Sequence, residues 1–107
     1  MKIGQEVEFK NDFKIETLIT GTKLQVKKGD KALVTSRGFK ILTGEARGKI
    51  NAFNERDETN GYDYENISKV IFKRLNAVYG LEMYLEDEEI NKKEFIEEIE
   101  DVLTDIF

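Results

Sequence analysis

The sequence contains no cysteine and no histidine. The first absence removes disulfide frameworks, thiolate nucleophiles and cysteine metal sites. The second removes the commonest general base and the commonest nitrogen ligand for metals. Serine is scarce: Ser36 and Ser68 are the only two, and their neighbours Arg37 and Lys69 do not form a serine–lysine catalytic spacing. Carboxylates abound, yet none is enclosed by the apolar sequence that acid catalysis uses. These absences point away from an enzyme and from any cofactor or metal centre. Long apolar runs are missing too. No more than three apolar residues stand in a row, which leaves neither a membrane-spanning helix nor the apolar core of a signal peptide in MKIGQEVEFK. A cytoplasmic protein with no membrane partner is expected.

What is present suffices for a folded domain. The chain has 107 residues, near the usual size of one domain, and its 39% hydrophobic content lifts it out of the disordered class. Lysine outnumbers arginine thirteen to four and there are eleven isoleucines, the bias of an AT-rich genome. It is similar to that of small proteins from low-GC bacteria, their phages and mobile elements.

The net charge of −5 conceals a polarity. Residues 1–52 carry eleven basic and six acidic side chains, whereas residues 53–107 carry six and sixteen. Hydrophobic spacing changes at the same place. In the first half apolar residues alternate with polar ones: Val7 and Phe9, then Phe13, Ile15 and Ile19, the period of half-buried strands. Asn11–Asp12 has the composition of a hairpin turn between these runs, and Gly21–Thr22 separates the second from residues 23–27. Short β-prone runs follow at 32–35, 39–42 and 49–53. Five or six strands in fifty residues predict a strongly curved antiparallel barrel of the SH3-like kind over residues 1–53.

Residues 54–61, NERDETNG, are polar and aperiodic and read as a linker. Beyond them Ile67, Val70, Ile71, Leu75, Val78 and Tyr79 follow helical spacing, with Lys69, Lys73 and Asn76 opposite, Asp63 as N-cap and Gly80 as terminator. A second helical stripe, Phe95, Ile96, Ile99, Val102, Leu103 and Ile106, follows a capping-box pattern at Asn91 and Glu94. Between them the pattern predicts a short helical turn at 81–85 and an acidic loop. The expected fold is therefore α+β: a small barrel, a linker, and a helical hairpin over 62–107, packed with the barrel as one compact unit.

Gly29–Asp30 before a strand, then Val34, Gly38, Lys40 and Gly44, give the segment 29–50 a likeness to a known pattern. It resembles a KOW motif, the strand-loop-strand unit of small barrels in ribosomal and transcription-elongation proteins, with Ile41 standing where that pattern has glycine. The resemblance covers about a fifth of the chain and implies a small barrel whose loops touch RNA or a protein. Read as chemistry, Lys27, Lys28, Lys31, Arg37, Lys40, Arg47 and Lys49 are candidates for tracking phosphates, with Phe39 and Phe53 as stacking platforms. Solvated turns and core phenylalanines explain the same residues without a ligand, and the acidic second half would repel a polyanion.

The run Glu86–Glu89 fails as a calcium loop. Counted back from Glu94 as the twelfth position, the first falls on Met83, the third on Leu85 and the required glycine on Glu88. Tyr62, Tyr64, Tyr79 and Tyr84 flank the first helix; tyrosine combines apolar area with a polar tip and suits interfaces. Tyr79 reads as sealing a joint between helices and barrel. Tyr62, Tyr64 and Tyr84 with Glu86, Asp87, Glu88 and Glu89 are the candidate protein-interaction residues. The apolar ending LTDIF suggests docking within the fold, or a homo-oligomer through the C-terminal helix. A non-catalytic protein-binding module is the favoured function, an adaptor or inhibitor, with nucleic-acid binding through the basic turns as the alternative.

Overall fold

A computed structural model describes residues 1–107. The fold is α+β, and the chain divides into two compact units, Met1–Tyr62 and Asp63–Phe107.

The first unit holds six strands: β1 (Glu6–Glu8), β2 (Phe13–Glu16), β3 (Lys23–Val26), β4 (Lys31–Val34), β5 (Phe39–Ile41) and β6 (Ile50–Asn51). They form two antiparallel sheets, one ordered β1-β4-β5-β6 and the other β2-β3. Register follows the alternation of the sequence. Ala32 lies between Val7 and Ile41 on the inner face, while Leu33 lies between Glu6 and Lys40 on the outer face. In the smaller sheet Phe13 pairs with Val26 and Ile15 with Leu24. All four contribute to one cluster with Phe9, Ile41 and Ala46, so the two sheets share a core although their hydrogen bonds do not close into a barrel.

Two local expectations fail here. Asn11–Asp12 is not a hairpin turn, because β1 pairs with β4 and not with β2. Phe9 donates its N–H to the Asp30 carbonyl and accepts the Gly29 N–H, both at 2.9 Å, which extends the β1–β4 ladder past Glu8. Ile19 is not on a buried face. β2 stops at Glu16, where Thr17 N–H donates to the Thr22 carbonyl and Gly21 N–H to the Thr17 carbonyl, and the closed turn projects Leu18 and Ile19 fully into solvent.

Residues 54–61, read as a linker, run alongside the N-terminus. The Met1 ammonium donates to the Glu58 carbonyl, Asn60 N–H to the Met1 carbonyl and Ile3 N–H to the Gly61 carbonyl, and Ile3 forms a parallel bridge with Tyr62.

The second unit holds three helices, α1 (Tyr64–Tyr79), α2 (Leu81–Asp87) and α3 (Lys92–Ile106): the two expected helices, with the short helical turn expected at 81–85 lengthened into α2. Their ends follow the capping residues. The Asp63 carboxylate accepts from Asn66 N–H, Gly80 adopts φ 65° and ψ 37°, and the Asn91 side chain accepts from Glu94 N–H. The buried stripe of α1 is rotated from the expected one. Ser68 and Phe72 lie at its centre, and Val70, Val78 and Tyr79 are exposed. Ser68 is fully buried, and its Oγ is satisfied there by donating back to the Tyr64 and Glu65 carbonyls. α3 runs antiparallel to α1: Phe95 meets Phe72 edge-on at 6.0 Å, and the Tyr64 hydroxyl donates to the Phe107 carbonyl at 2.7 Å.

Asn76, assigned to the wet face by its spacing, joins the helices instead. Its Oδ1 accepts from Glu82 N–H at the start of α2, and Glu82 holds Lys92 of α3 at 3.2 Å. The Lys92 ammonium also sits 5.2 Å from the centre of the Phe72 ring.

Candidate interaction surfaces

The seven candidate phosphate-binding cations do not form one patch. Lys27 and Lys28 lie in the turn between β3 and β4, Lys31 opens β4, and Arg47 and Lys49 lie in the loop between β5 and β6. Thr43 ties these pieces together, accepting Lys31 N–H and donating to Asp30 Oδ1, while Leu42 N–H donates to the Lys31 carbonyl. Lys40 points from the outer face of β5. Arg37 lies at the opposite end of the sheet, in the turn that Thr35 closes onto Gly38, with the length of β4, roughly 10 Å, between.

The end that gathers five cations also gathers carboxylates. Asp30 Oδ2 accepts Lys27 N–H, Asp12 accepts Lys28 N–H and Glu45 accepts Gln25 N–H. None of the seven cations has an ion-pair partner within 4.0 Å, but three backbone-bonded carboxylates among five cations flatten the local potential. The aromatics are placed elsewhere. Phe39 and Lys40 are consecutive in β5 and face opposite sides, and Phe39 belongs to an edge-to-face series running Phe13, Phe9, Phe39, Phe53 at 5.0, 5.9 and 5.0 Å. Phe9, Phe13 and Phe39 line one shallow groove of about 610 Å³, bordered by Glu8, Lys10 and Asp57. Cations and stacking rings are therefore not interleaved as a single-strand track requires.

The protein-interaction candidates also separate. Tyr62 belongs to the first unit. Tyr64 opens α1 and uses its hydroxyl to hold the Phe107 carbonyl. Tyr84 is exposed on α2, Glu86 and Asp87 form the last turn of that helix, and Glu88 and Glu89 make the turn into α3, Glu89 with φ 56°. Tyr79 is 77% exposed, and Met83, four residues on, is 72% exposed. Val78, Tyr79, Met83 and Tyr84 thus form an exposed apolar stretch at the α1–α2 corner, directly before the four acids. Sequence reasoning missed Val78 and Met83. Centring the helical stripe on Phe72 would have turned Val70 and Val78 outward, whereas Tyr79, seven residues beyond Phe72, stays on that side and is exposed as the last residue of the helix.

The Ser68 hydroxyl is buried and engaged in its own helix, Ser36 lies in the exposed turn after β4, and no cluster of three or more acidic residues is arranged to hold a metal ion. No helix is long and apolar enough to cross a membrane. Comparison with protein-family models, curated proteins and solved structures gave no match.

Proposed function

We propose that the protein is a non-catalytic module that binds a protein partner, acting as an adaptor or inhibitor in a low-GC bacterium or one of its mobile elements. The observation that carries this reading is the exposed stretch Val78, Tyr79, Met83 and Tyr84 followed by Glu86–Glu89. Large apolar side chains clustered in solvent beside a charged rim are the composition of a protein interface. Like charges in the rim steer an oppositely charged partner, and the aromatic and thioether side chains supply the contact area once it arrives. The first unit is read as a small barrel of the SH3-like kind. What supports that is the common core of its two sheets, in which Val26 and Ile41 pack together.

The test is retention of a partner. Immobilised protein is expected to hold a protein from nuclease-treated host lysate, and the variant carrying Tyr79→Ser, Met83→Ser and Tyr84→Ser to lose it. Equal retention by the variant, or retention of nucleic acid alone before nuclease treatment, defeats the reading.

One observation favours nucleic-acid binding as the alternative: Lys27, Lys28, Lys31, Arg47 and Lys49 meet at one end of the sheet without ion-pair partners. Titration of a labelled oligonucleotide at low and moderate salt decides it, because phosphate contacts give a steep salt dependence. No binding at low salt ends that alternative.

A further inference from the structure

α3 carries more apolar surface than α1 covers. Ile96, Ile99 and Leu103 are half-buried, but Val102 and Ile106 are 54% and 68% exposed. Phe95, Ile99, Val102 and Leu103, with Glu98, line a shallow groove of about 270 Å³. At 3.6 residues per turn Phe95, Ile99, Val102 and Ile106 make one stripe, and Glu94, Glu98, Asp101 and Asp105 make the stripe beside it. The charge on that border is of one sign. Lys92 and Lys93 open the helix, but from Glu94 to Phe107 the chain has no lysine or arginine, so beyond the first turn acids one turn apart repel with no cation among them.

We propose that this stripe is the docking site for a cationic amphipathic helix of a protein partner. Its apolar side chains would fill the groove beside Val102, and lysines or arginines along its edge would meet Glu98, Asp101 and Asp105. Charge decides between occupants. A second copy placed by a two-fold axis would set Glu98 and Asp105 against themselves, and anionic lipid or nucleic acid would be repelled by the same border. The inference rests on the binding-module reading and adds to it a second surface and the chemistry of its occupant.

The test uses the full chain, labelled with ¹⁵N, and two synthetic peptides of identical leucine and lysine composition. One has its leucines at helical spacing and the other is shuffled. The helical peptide is expected to shift the amides of Phe95, Glu98, Ile99, Val102 and Ile106. Its affinity should fall by roughly tenfold or more in Val102→Glu, and again in the variant carrying Glu98→Lys and Asp105→Lys. Both variants change exposed positions, and retention of the α-helical circular dichroism signal confirms that they fold.

Equal binding of the shuffled peptide reduces the effect to net charge and overturns the inference. Shifts confined to Tyr79, Met83 and Tyr84 also overturn it, while leaving the binding-module reading in place. Self-association relieved by Val102→Glu would identify a second copy as the occupant and overturn it too. If neither peptide shifts any amide and an oligonucleotide shifts those of Lys27 and Lys31, both readings fall.

Discussion

The two units solve the same problem, enclosing a small core, with different materials. In the first, twelve basic and nine acidic residues surround sheets whose loops are fastened by side chains bonded to backbone: Asp12 to Lys28, Asp30 to Lys27, Thr43 to Lys31 and Glu45 to Gln25. In the second, five basic and thirteen acidic residues surround three helices fastened at their ends by Asp63, Asn76 and Asn91. The difference shows in what is left outside. Nine of the thirteen exposed large hydrophobic residues belong to the second unit, although it is the shorter. A short three-helix arrangement covers only one side of each amphipathic helix, so the surplus apolar surface collects there.

The comparison breaks first at Gly38. This residue is buried at φ 147°, and a Cβ there would meet the Asn51 carbonyl oxygen and come within 2.9 Å of Ala52 Cα. Gly38→Ala is expected to destabilise the first unit by about 2–4 kcal/mol in urea unfolding, since β6 has to move away from β5 to admit the methyl group. The helical signal of the second unit should persist if the two unfold separately. Asp30→Ala comes next. It removes the acceptor for Lys27 N–H and the Thr43 hydroxyl, and a loss of about 1–3 kcal/mol is expected in the same unit.

Asn76→Ala sharpens the other side. Loss of the bond to Glu82 N–H frees the start of α2, and about 1 kcal/mol is expected from the helical transition alone, with the sheet unit unchanged. The smallest effect has the opposite sign. Glu89 holds φ 56°, a left-handed conformation that glycine adopts freely, so Glu89→Gly should raise the stability of the helical unit by about 0.5–1 kcal/mol, read as a higher urea midpoint. No change there would mean that the turn relaxes at little cost.

Much of this architecture was legible in the sequence because it depends on neighbouring residues. Alternation at Phe13 and Ile15, the cap at Asp63, the break at Gly80 and the acceptor at Asn91 are local signals, and the chain follows them. Strand partnership was not. β1 and β2 are adjacent in sequence, yet pairing between β1 and β4 is decided by Phe9 exchanging bonds with residues 29 and 30, which no spacing within ten residues encodes. The rotation of α1 was hidden for a related reason. Which of two overlapping apolar stripes is buried depends on where Phe95 approaches, and that selected Phe72 over Val78. Exposure divides the same way: that of Tyr84 and the acids was readable from composition, that of Met83 and the outer edge of α3 only once the packed side of each helix was known.

The turn after β2 has a practical consequence. Three threonines at its ends, Thr17, Thr20 and Thr22, bond hydroxyl to hydroxyl and brace it, while Leu18 and Ile19 at its crest rest on no part of the folded body. A probe or affinity tag can be grafted at that crest, or an extra loop threaded through it, without disturbing either sheet. The hairpin is thus a handle on the strand-built unit, suited to anchoring the protein on a sensor.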